Sequence, residues 1–164
     1  MLKATWVFGT QNFEAAKAVR TAVFVEEQGY SLSEEFDDFD YYAWHAVIYY
    51  EDAPIATGRV YLDQGNYTIG RVCVRKEFRG QHVGDLLIRL LLDRALNAGA
   101  EGIHLCAQVT AQGFYEKFGL KAMGKPYRKP GELYDHVDMY APAQEVLFPR
   151  TCENCPNAGA CDGG

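Results

Sequence analysis

Long hydrophobic runs are absent from this sequence of 164 residues. No apolar stretch approaches the ~20 residues that an α-helix needs to cross a bilayer, so the sequence predicts no membrane span. The first ten residues, MLKATWVFGT, also lack the apolar core of a secretory signal peptide. We therefore expect a cytoplasmic protein that has no membrane partner.

Positive charge is also scarce. The chain has 16 Lys and Arg residues against 22 Asp and Glu residues, which gives a formal net charge of −6. This balance argues against a protein that binds nucleic acid. A local basic cluster of Arg71, Arg75, Lys76 and Arg79 can still bind a phosphorylated small molecule.

Two common nucleotide-binding motifs are missing. The sequence contains neither G-x-x-x-x-G-K-[ST] nor G-x-G-x-x-G, and it shows no internal repeat or interdomain linker. With 48% hydrophobic residues, a chain of this length fits one domain with a sizeable core. We expect that domain to span residues 1–145, followed by a cysteine-containing tail at 146–164, in a monomer or a homodimer.

Cysteine is present in an odd number, five, which does not suit a framework of paired disulfides. Cys73 and Cys106 stand alone in strand-like runs and are expected to be buried small hydrophobic residues. Cys152, Cys155 and Cys161 cluster near the end, where their thiolates could bind zinc or iron. A redox-active or disulfide-forming tail, or a tail with no role, remains an alternative, because such metal sites usually need four ligands.

Hydrophobic alternation predicts seven strands, at residues 5–8, 44–50, 55–62, 67–74, 103–108, 120–123 and 137–140. Helical periodicity predicts helices at 13–28, 83–98 and 111–117. Short turns join strands two to four into an antiparallel meander, whereas a helix links strands four and five and makes them parallel neighbours. This order predicts an α/β (α+β) fold with a mixed, mainly antiparallel twisted sheet and helices on both faces.

The start of the predicted helix at 83–98 is the most informative point of the chain. A basic segment turns through Gly80 and Gly84 directly into this helix, and Arg79 adds a positive charge at the turn. The first backbone N–H groups of a helix have no partner in the helix and carry the positive end of its dipole. The turn is therefore a candidate site for an anion such as pyrophosphate, although the two glycines alone could serve only to permit a tight turn.

A resemblance to a known family involves the same turn. The GCN5-related N-acetyltransferases (GNAT) carry an R/Q-x-x-G-x-G/A signature there, which this chain resembles over Arg79, Gly80, Gln81, His82, Val83 and Gly84. The resemblance implies that this loop and the adjoining Asp85 hold the pyrophosphate of acetyl-coenzyme A (acetyl-CoA), and that the GNAT fold covers about residues 3–140. It also implies contacts between the pantetheine arm and the backbone of Val72, Cys73 and Val74. One departure is His82, which stands where the family usually has a glycine.

A second segment, FYEKFGL at 114–120, resembles the F-Y-x-x-x-G-[FL] segment that lies near the cofactor thiol in this family. The resemblance implies that Phe114 contacts acetyl-CoA and that Tyr115 is the general acid. Acyl transfer from a thioester expels a thiolate, to which a phenol with a pKa near ~10 can donate a proton. The alternative is that Tyr115, one of 11 tyrosines, only packs in the core.

An amine acceptor arrives protonated and must lose a proton before it attacks, so a base or a water relay is needed. Glu27 and His45 are candidate bases, and Glu26 and Gln108 are candidate substrate-binding residues. The glutamates could equally be exposed charges on a helix. His45 could be a satisfied histidine of the core.

The segment at 29–40, GYSLSEEFDDFD, combines five carboxylates with two aromatic rings. Such a run is usually a solvated loop. The interleaved Phe36 and Phe39 favour another interpretation, in which the carboxylates attract a cationic amine and Phe36 contacts its ammonium group. Together these features predict an acetyl-CoA-dependent N-acetyltransferase acting on a small, cationic amine. The alternative is a non-catalytic acyl-CoA-binding or sensor module with a metal- or redox-responsive cysteine tail.

Overall fold

The computed structural model describes residues 1–149 and contains one seven-stranded sheet in the order β1-β2-β3-β4-β5-β7-β6. The strands are β1 Leu2–Phe8, β2 Trp44–Tyr50, β3 Ala53–Asp63, β4 Asn66–Val74, β5 Gly102–Gln108, β6 Lys121–Tyr127 and β7 His136–Pro142. All neighbouring strands pair antiparallel except β4 and β5, which are parallel. The mixed, mainly antiparallel sheet predicted from the sequence is confirmed.

The α-helices are α1 Glu14–Arg20, α2 Leu32–Glu35, α3 Val83–Asn97 and α4 Gln112–Glu116. A π-helical segment, Thr21–Glu27, continues α1, so the single α-helix expected at 13–28 changes its hydrogen-bonding pattern halfway. Short 3₁₀ turns lie at Asp38–Tyr42, Lys76–Phe78, Val109–Ala111 and Ala143–Glu145. Within the described residues, no helix is both long and apolar enough to cross a membrane.

Helices cover both faces of the sheet. On β2, Ala46 and Ile48 belong to the main core cluster with α3, whereas Val47 points the other way and packs with Phe13 and Ala16 at α1. This alternation follows from the two-residue period of a strand. The sheet is therefore the middle layer of the molecule, and strands such as β2 are buried on both sides.

The long helix α3 buries an apolar face in the main core. Leu87, Ile88 and Leu91 are fully buried, and burying each such side chain contributes about 1.5–3 kcal/mol. The helix comes very close to β3, because a Cβ atom added at Gly58 would lie only 2.6 Å from Leu91 Cδ1. This packing fixes the start of α3 relative to the sheet.

β4 and β5 separate soon after they meet. Their parallel pairing is limited to Thr68 with His104 and Ile69 with Leu105. Beyond that point the register between β3 and β4 shifts, and Arg71 adopts a left-handed backbone with φ of 51°. An irregularity of this kind bends a strand and ends its regular pairing. The bend opens a cleft between β4 and β5.

The acidic segment at 29–40 is neither a solvated loop nor a free anionic surface. Three of its carboxylates, those of Glu35, Asp37 and Asp40, form ion pairs with Arg20, Arg59 and Arg71 at distances of 2.6–3.3 Å. We call these six residues the arginine–carboxylate network. It ties α1 and the acidic segment to β3 and β4. The attraction of a cationic substrate expected from all five carboxylates is therefore not available at these three.

Candidate active site

The cleft between β4 and β5 leads into a cavity of about 680 Å³. Residues 69–74 of β4 form one wall and residues 105–108 of β5 form the other. Side chains from the π-helical segment, α4 and the β6–β7 loop at 128–135 complete the lining. A pocket with two strand edges as walls offers backbone N–H and C=O groups that the sheet itself does not use.

One end of the cavity lies at the start of α3. Arg79 and Gly84 line it there, and the turn between them contains two residues with left-handed backbone, Gly80 at φ 74° and His82 at φ 62°. Glycine adopts this conformation without strain, whereas histidine does so at a cost of about 1–2 kcal/mol. His82 thus occupies the position that the family signature gives to glycine and adopts the conformation that glycine favours.

This end fits acetyl-CoA. The N-terminus of the 15-residue helix α3 and the guanidinium of Arg79 suit an anionic pyrophosphate. The separated strands can accommodate an extended arm between them. Of the residues predicted to contact the cofactor, those lining the cavity are Val72, Cys73, Val74, Arg79, Gly84 and Phe114.

The other predicted cofactor residues belong to the turn itself. They are Gly80, Gln81, His82, Val83 and Asp85, none of which lines the cavity. Val83 is buried in the main core, and the Asp85 carboxylate accepts a hydrogen bond of 2.6 Å from Arg89 within α3. A contact between these residues and a phosphate would therefore come from their backbone groups.

Tyr115 lies on α4 with its side chain almost fully buried at the cavity wall. It packs against Phe114, with ring centroids 5.1 Å apart. Burial raises the pKa of the Tyr115 phenol, and the neighbouring Cys73 adds to that effect. Burial also raises the pKa of the Cys73 thiol to about 12. Both groups are therefore protonated at neutral pH, and Tyr115 can act as a proton donor.

His45 is placed too deep to be the base suggested by the sequence. Only 1% of its surface is exposed, and it does not line the cavity. Its Nε2 lies 3.2 Å from the backbone oxygen of Asp40, and its ring packs 4.7 Å from that of Phe13. Burial lowers the pKa of His45, which keeps the ring neutral. It is a satisfied histidine of the core.

Phe36 is also placed away from the expected contact. Its ring packs edge-on against Phe13, with centroids 5.9 Å apart, and lies 4.6 Å from the guanidinium of Arg20. It does not line the cavity. Phe36 therefore makes a cation–π contact with a residue of its own chain, which leaves it no contact with an acceptor in the cavity.

Glu26 and Glu27 end the π-helical segment, and neither lines the cavity. Glu26 is exposed. Both carboxylate oxygens of Glu27 accept hydrogen bonds of 2.7 Å from Arg79, which lowers the pKa of Glu27. Glu27 thus lies beside the donor end of the cavity as the partner of Arg79.

A second region of the cavity is polar. Gln108 lines it, as expected for a substrate-binding residue, and donates a hydrogen bond of 2.8 Å to the side chain of Gln28. Glu34, one of the five carboxylates of the acidic segment, lines this region as well. The sequence analysis missed three further residues there, which are Tyr30, Glu132 and His136. None of them belongs to a recognisable motif. We call this region the acceptor end.

The predicted metal ligands Cys152, Cys155 and Cys161 lie outside the described residues. Within residues 1–149, no group of three or more His, Cys, Asp or Glu side chains is arranged to hold a metal ion. The two cysteines in this range, Cys73 and Cys106, are free thiols that both line the cavity. Cys73 is buried as predicted, whereas Cys106 is exposed.

A sheet split between two parallel strands, with a helix start and a buried tyrosine beside the cleft, suits an acyl-CoA-dependent acyltransferase. Comparisons with known proteins agree. The family model described as "Acetyltransferase (GNAT) domain" matches residues 11–140. The chain is 32% identical over 124 residues to the "Uncharacterized N-acetyltransferase YjcF" of Bacillus subtilis (strain 168), a match that covers 76% of this chain and 89% of YjcF.

Solved structures show the same relationship. A crystal structure described as that of a "putative N-acetyltransferase from Lactobacillus plantarum" is 34% identical and matches with a TM-score of 0.78 over 87% of this chain and 98% of the other. The crystal structure of Escherichia coli ElaA, 25% identical, matches with a TM-score of 0.76 over 85% of this chain and 99% of ElaA.

This chain therefore belongs to the GNAT acetyltransferase family, as its sequence motifs predicted. The family uses acetyl-CoA or another acyl-CoA as the donor, and the protein is an acyl-CoA-dependent N-acyltransferase. Membership in a family of enzymes favours this interpretation over the non-catalytic sensor.

Proposed function

We propose that this protein transfers the acetyl group of acetyl-CoA directly to a small, positively charged amine, with Tyr115 as the general acid. The observation that carries the proposal is a single cavity with a protonated phenol at its wall and two carboxylates, Glu34 and Glu132, at its acceptor end. The donor would enter from the start of α3 and the acceptor amine from the acceptor end.

The donor is held by three features of the chain. Backbone N–H groups at the start of α3 and the guanidinium of Arg79 would bind its pyrophosphate. The edges of β4 and β5 would bind its extended arm through backbone hydrogen bonds. This arrangement brings the thioester towards α4, where Tyr115 and Phe114 line the cavity.

Tyr115 supplies the proton that the departing thiolate needs. Its buried phenol has a raised pKa, so it is fully protonated when the carbon–sulfur bond breaks. Tyr115 lines the cavity, so its hydroxyl would be within reach of the thiolate sulfur there. Positioning of the two reactants in one cavity would provide much of the remaining rate enhancement.

The preference for a cation rests on the charges at the acceptor end. Glu34 and Glu132 line this end from the acidic segment and from the β6–β7 loop. Arg71 also lines the cavity, but ion pairs with Glu35 and Asp37 neutralise its charge. A protonated amine is therefore attracted, whereas an acceptor with a free carboxylate is repelled.

A screen of primary amines with acetyl-CoA, read by release of the free thiol, tests the activity. We expect mono- and diamines without a carboxylate to be the best acceptors. Tyr115→Phe should lower kcat about 10²-fold on such an amine and leave the dissociation constant of acetyl-CoA, measured by calorimetry, within about twofold.

Phe118→Tyr is not a suitable control, because Phe118 is fully buried in the core. Tyr41→Phe is better, since it removes the hydroxyl of an exposed tyrosine far from the lining. A Tyr115→Phe enzyme with unchanged kcat would assign Tyr115 to packing alone. Best acceptors that carry a carboxylate would contradict the preference for cations.

A further inference from the structure

His136 is held in a defined orientation at the acceptor end of the cavity. Its side chain is 14% exposed, and it begins β7, directly opposite Gln108 on β5. Its Nδ1 lies 2.8 Å from the backbone oxygen of Tyr134. A carbonyl oxygen can only accept a hydrogen bond, so Nδ1 must carry the proton.

This contact fixes the tautomer of the neutral ring. With the proton on Nδ1, the lone pair of the imidazole lies on Nε2, the atom at the far side of the ring. His136 lines the cavity together with Gln108 and Glu132. The free lone pair is therefore carried by a ring at the end of the cavity where we place the acceptor.

Glu132 lies close enough to stabilise a protonated His136. Its Oε2 is 3.7 Å from His136 Nδ1 and accepts a hydrogen bond of 2.8 Å from the hydroxyl of Tyr30. Burial and, to a smaller extent, this hydrogen bond raise the pKa of Tyr30 to about 12, so Tyr30 remains a donor that holds the carboxylate in place. A neutral ring, a carbonyl that sets its tautomer and a nearby carboxylate are the components of a histidine base.

Other charged groups around His136 are largely occupied. The cross-strand neighbour Tyr127 donates a hydrogen bond of 2.6 Å to Asp138. Asp135 accepts one of 2.9 Å from Arg128. From β5, the facing residue Gln108 is uncharged. Glu34 approaches the same loop near Gly131, and Glu132 is the carboxylate that faces the ring.

We propose that His136 is the general base of the proposed acetyl transfer and that Glu132 is a positioning residue that stabilises its protonated form. The acceptor ammonium gives one proton to His136 Nε2, its N–H bond breaks, and the electron pair remains on the amine nitrogen. That nitrogen forms a bond to the thioester carbonyl carbon, and the carbon–sulfur bond then breaks. Tyr115 protonates the leaving sulfur and regains a proton from the acylated nitrogen, while His136 releases its proton to solvent.

This inference rests on the proposed function and deepens it. The base candidates suggested by the sequence do not compete, because His45 is buried and Glu27 is bound to Arg79. Glu34 lines the same end, but no hydrogen bond within residues 1–149 orients its carboxylate towards a proton transfer. His136 alone combines access to the cavity with a fixed tautomer.

Two amines of similar size but different basicity test the proposal, namely propylamine and 2,2,2-trifluoroethylamine. Propylamine is almost entirely protonated at neutral pH and needs a base, whereas electron withdrawal by fluorine leaves much of the trifluoroethylamine neutral. We expect His136→Gln to lower kcat/KM about 10²-fold for propylamine and less than about fivefold for trifluoroethylamine.

The pH profile gives an independent measurement. For the wild type, kcat/KM for propylamine should level off once the imidazole is neutral. For His136→Gln it should keep rising with pH towards the pKa of the amine, near ~10, because only the neutral amine then reacts. Glu132→Gln should give kcat/KM values for propylamine between those of the wild type and His136→Gln, because the ring keeps its tautomer but loses the carboxylate 3.7 Å from Nδ1.

His104→Gln is the matched control. His104 is a partly buried histidine on β5 that packs against Tyr140, with ring centroids 4.6 Å apart, and it does not line the cavity. It should affect both amines equally and by less than about twofold. Binding of acetyl-CoA by calorimetry and an unchanged urea midpoint show that each variant is folded.

Two different results distinguish failure of the role of His136 from failure of the proposed acetyl transfer. A wild-type enzyme that acetylates propylamine, combined with equal losses for both amines in His136→Gln, would overturn the role of His136 and leave the acetyltransferase intact. A wild-type enzyme that binds acetyl-CoA but acetylates neither amine would overturn the proposed function and this inference with it.

Discussion

Glu27 and Arg79 stand 52 positions apart in the sequence, yet they form a bidentate ion pair beside the end of the cavity at the start of α3. Arg79 also donates a hydrogen bond of 3.0 Å to the backbone oxygen of Val74, which fixes the guanidinium against the end of β4. The hydrogen bonds from Arg79 lower the pKa of Glu27 against the opposing effect of burial, and a carboxylate with a lowered pKa is a weak base. We infer that Glu27 orients Arg79 and partly neutralises it.

Glu27→Gln removes this negative charge and keeps the size of the side chain. The positive charge of Arg79 is then no longer partly neutralised by Glu27 and would attract the anionic cofactor more strongly. The dissociation constant of acetyl-CoA should therefore fall by about two- to fivefold, while kcat stays within about twofold. Calorimetry and steady-state kinetics measure the two effects. Glu77→Gln removes the same charge beside the same turn and separates a general charge effect from loss of the contact.

A loss of kcat greater than about tenfold in Glu27→Gln would restore Glu27 as a catalytic base. Only a small loss of stability is expected, because partly exposed ion pairs of this kind contribute about 0–1 kcal/mol.

The sequence indicated individual residues mainly where a motif carried them, with Gln108 at the end of a predicted strand as an exception. Arg79, Gly84, Phe114 and Tyr115 came from such motifs, and all four line the cavity. Phe36 could not be placed in this way, because its environment is set by Arg20, a residue 16 positions earlier whose partners are distant in sequence. His136 was missed because nothing in its local sequence shows that β7 pairs with β5.

At the level of elements, local patterns predicted most of the structure. The strand Trp44–Tyr50 and the helix Val83–Asn97 lie within one residue of their predicted bounds, because strong periodicity and flanking turn residues define them. The π-helical segment was not predicted, since its sequence has the apolar spacing of an ordinary helix. The ion pairs that order the acidic segment link it to three other elements, which no local pattern reveals.

Gly119, in the turn that joins α4 to β6, provides a test at this scale. Its backbone has φ of 89°, and an added Cβ atom would collide with the backbone oxygen of Glu145. Gly119→Ala should therefore destabilise the protein by about 3 kcal/mol or more, because the backbone must move as well as adopt a left-handed conformation. Urea denaturation measures the change.

Gly99→Ala is the matched control. Gly99 follows α3 with φ of 94°, but an added Cβ would meet no atom within 4 Å. It should cost only the conformational penalty of about 1–2 kcal/mol. Equal decreases in the free energy of unfolding for the two variants would show that the backbone at Gly119 relaxes to accommodate the methyl group at no further cost.

At the scale of the whole molecule, the arginine–carboxylate network links α1 and the acidic segment to the sheet. Arg20 is 1% exposed and contacts both Glu35, at 2.9 Å, and Asp40, at 2.7 Å. Arg59 bridges Asp37 and Asp40 from β3. Removing one member of a buried network leaves its partners with uncompensated charge, which typically costs 3–5 kcal/mol.

We expect Arg20→Met to lower the free energy of unfolding by about 3–5 kcal/mol in urea denaturation. Arg128→Met is the control, because Arg128 pairs with Asp135 at the surface, where both side chains are more than half exposed. It should change stability by less than about 1 kcal/mol. Similar losses for the two variants would show that the buried network contributes no more than a surface pair.

The same network predicts how stability depends on pH. Burial alone would raise the pKa values of Asp37 and Asp40, but Arg59 and Arg20 outweigh it and hold both below the ordinary aspartate value. The two carboxylates contribute their full stabilisation above pH ~4. This stabilisation is lost as the pH falls through their lowered pKa values in the folded protein. Glu35 acts in the opposite direction, because burial raises its pKa. Acid unfolding should begin at a higher pH in Arg20→Met, which circular dichroism can follow.

The early separation of β4 and β5 has a consequence for how such an enzyme can diversify. In the proposed binding mode, Arg79 apart, the donor contacts the backbone of two strands and a helix start, which are groups that depend little on the side chains present. The acceptor end, in contrast, is built from the side chains of Tyr30, Glu34, Glu132 and His136. Substitutions there would change the acceptor specificity without altering the backbone contacts proposed for acetyl-CoA. The split sheet thus allows acceptor specificity to evolve independently of donor binding.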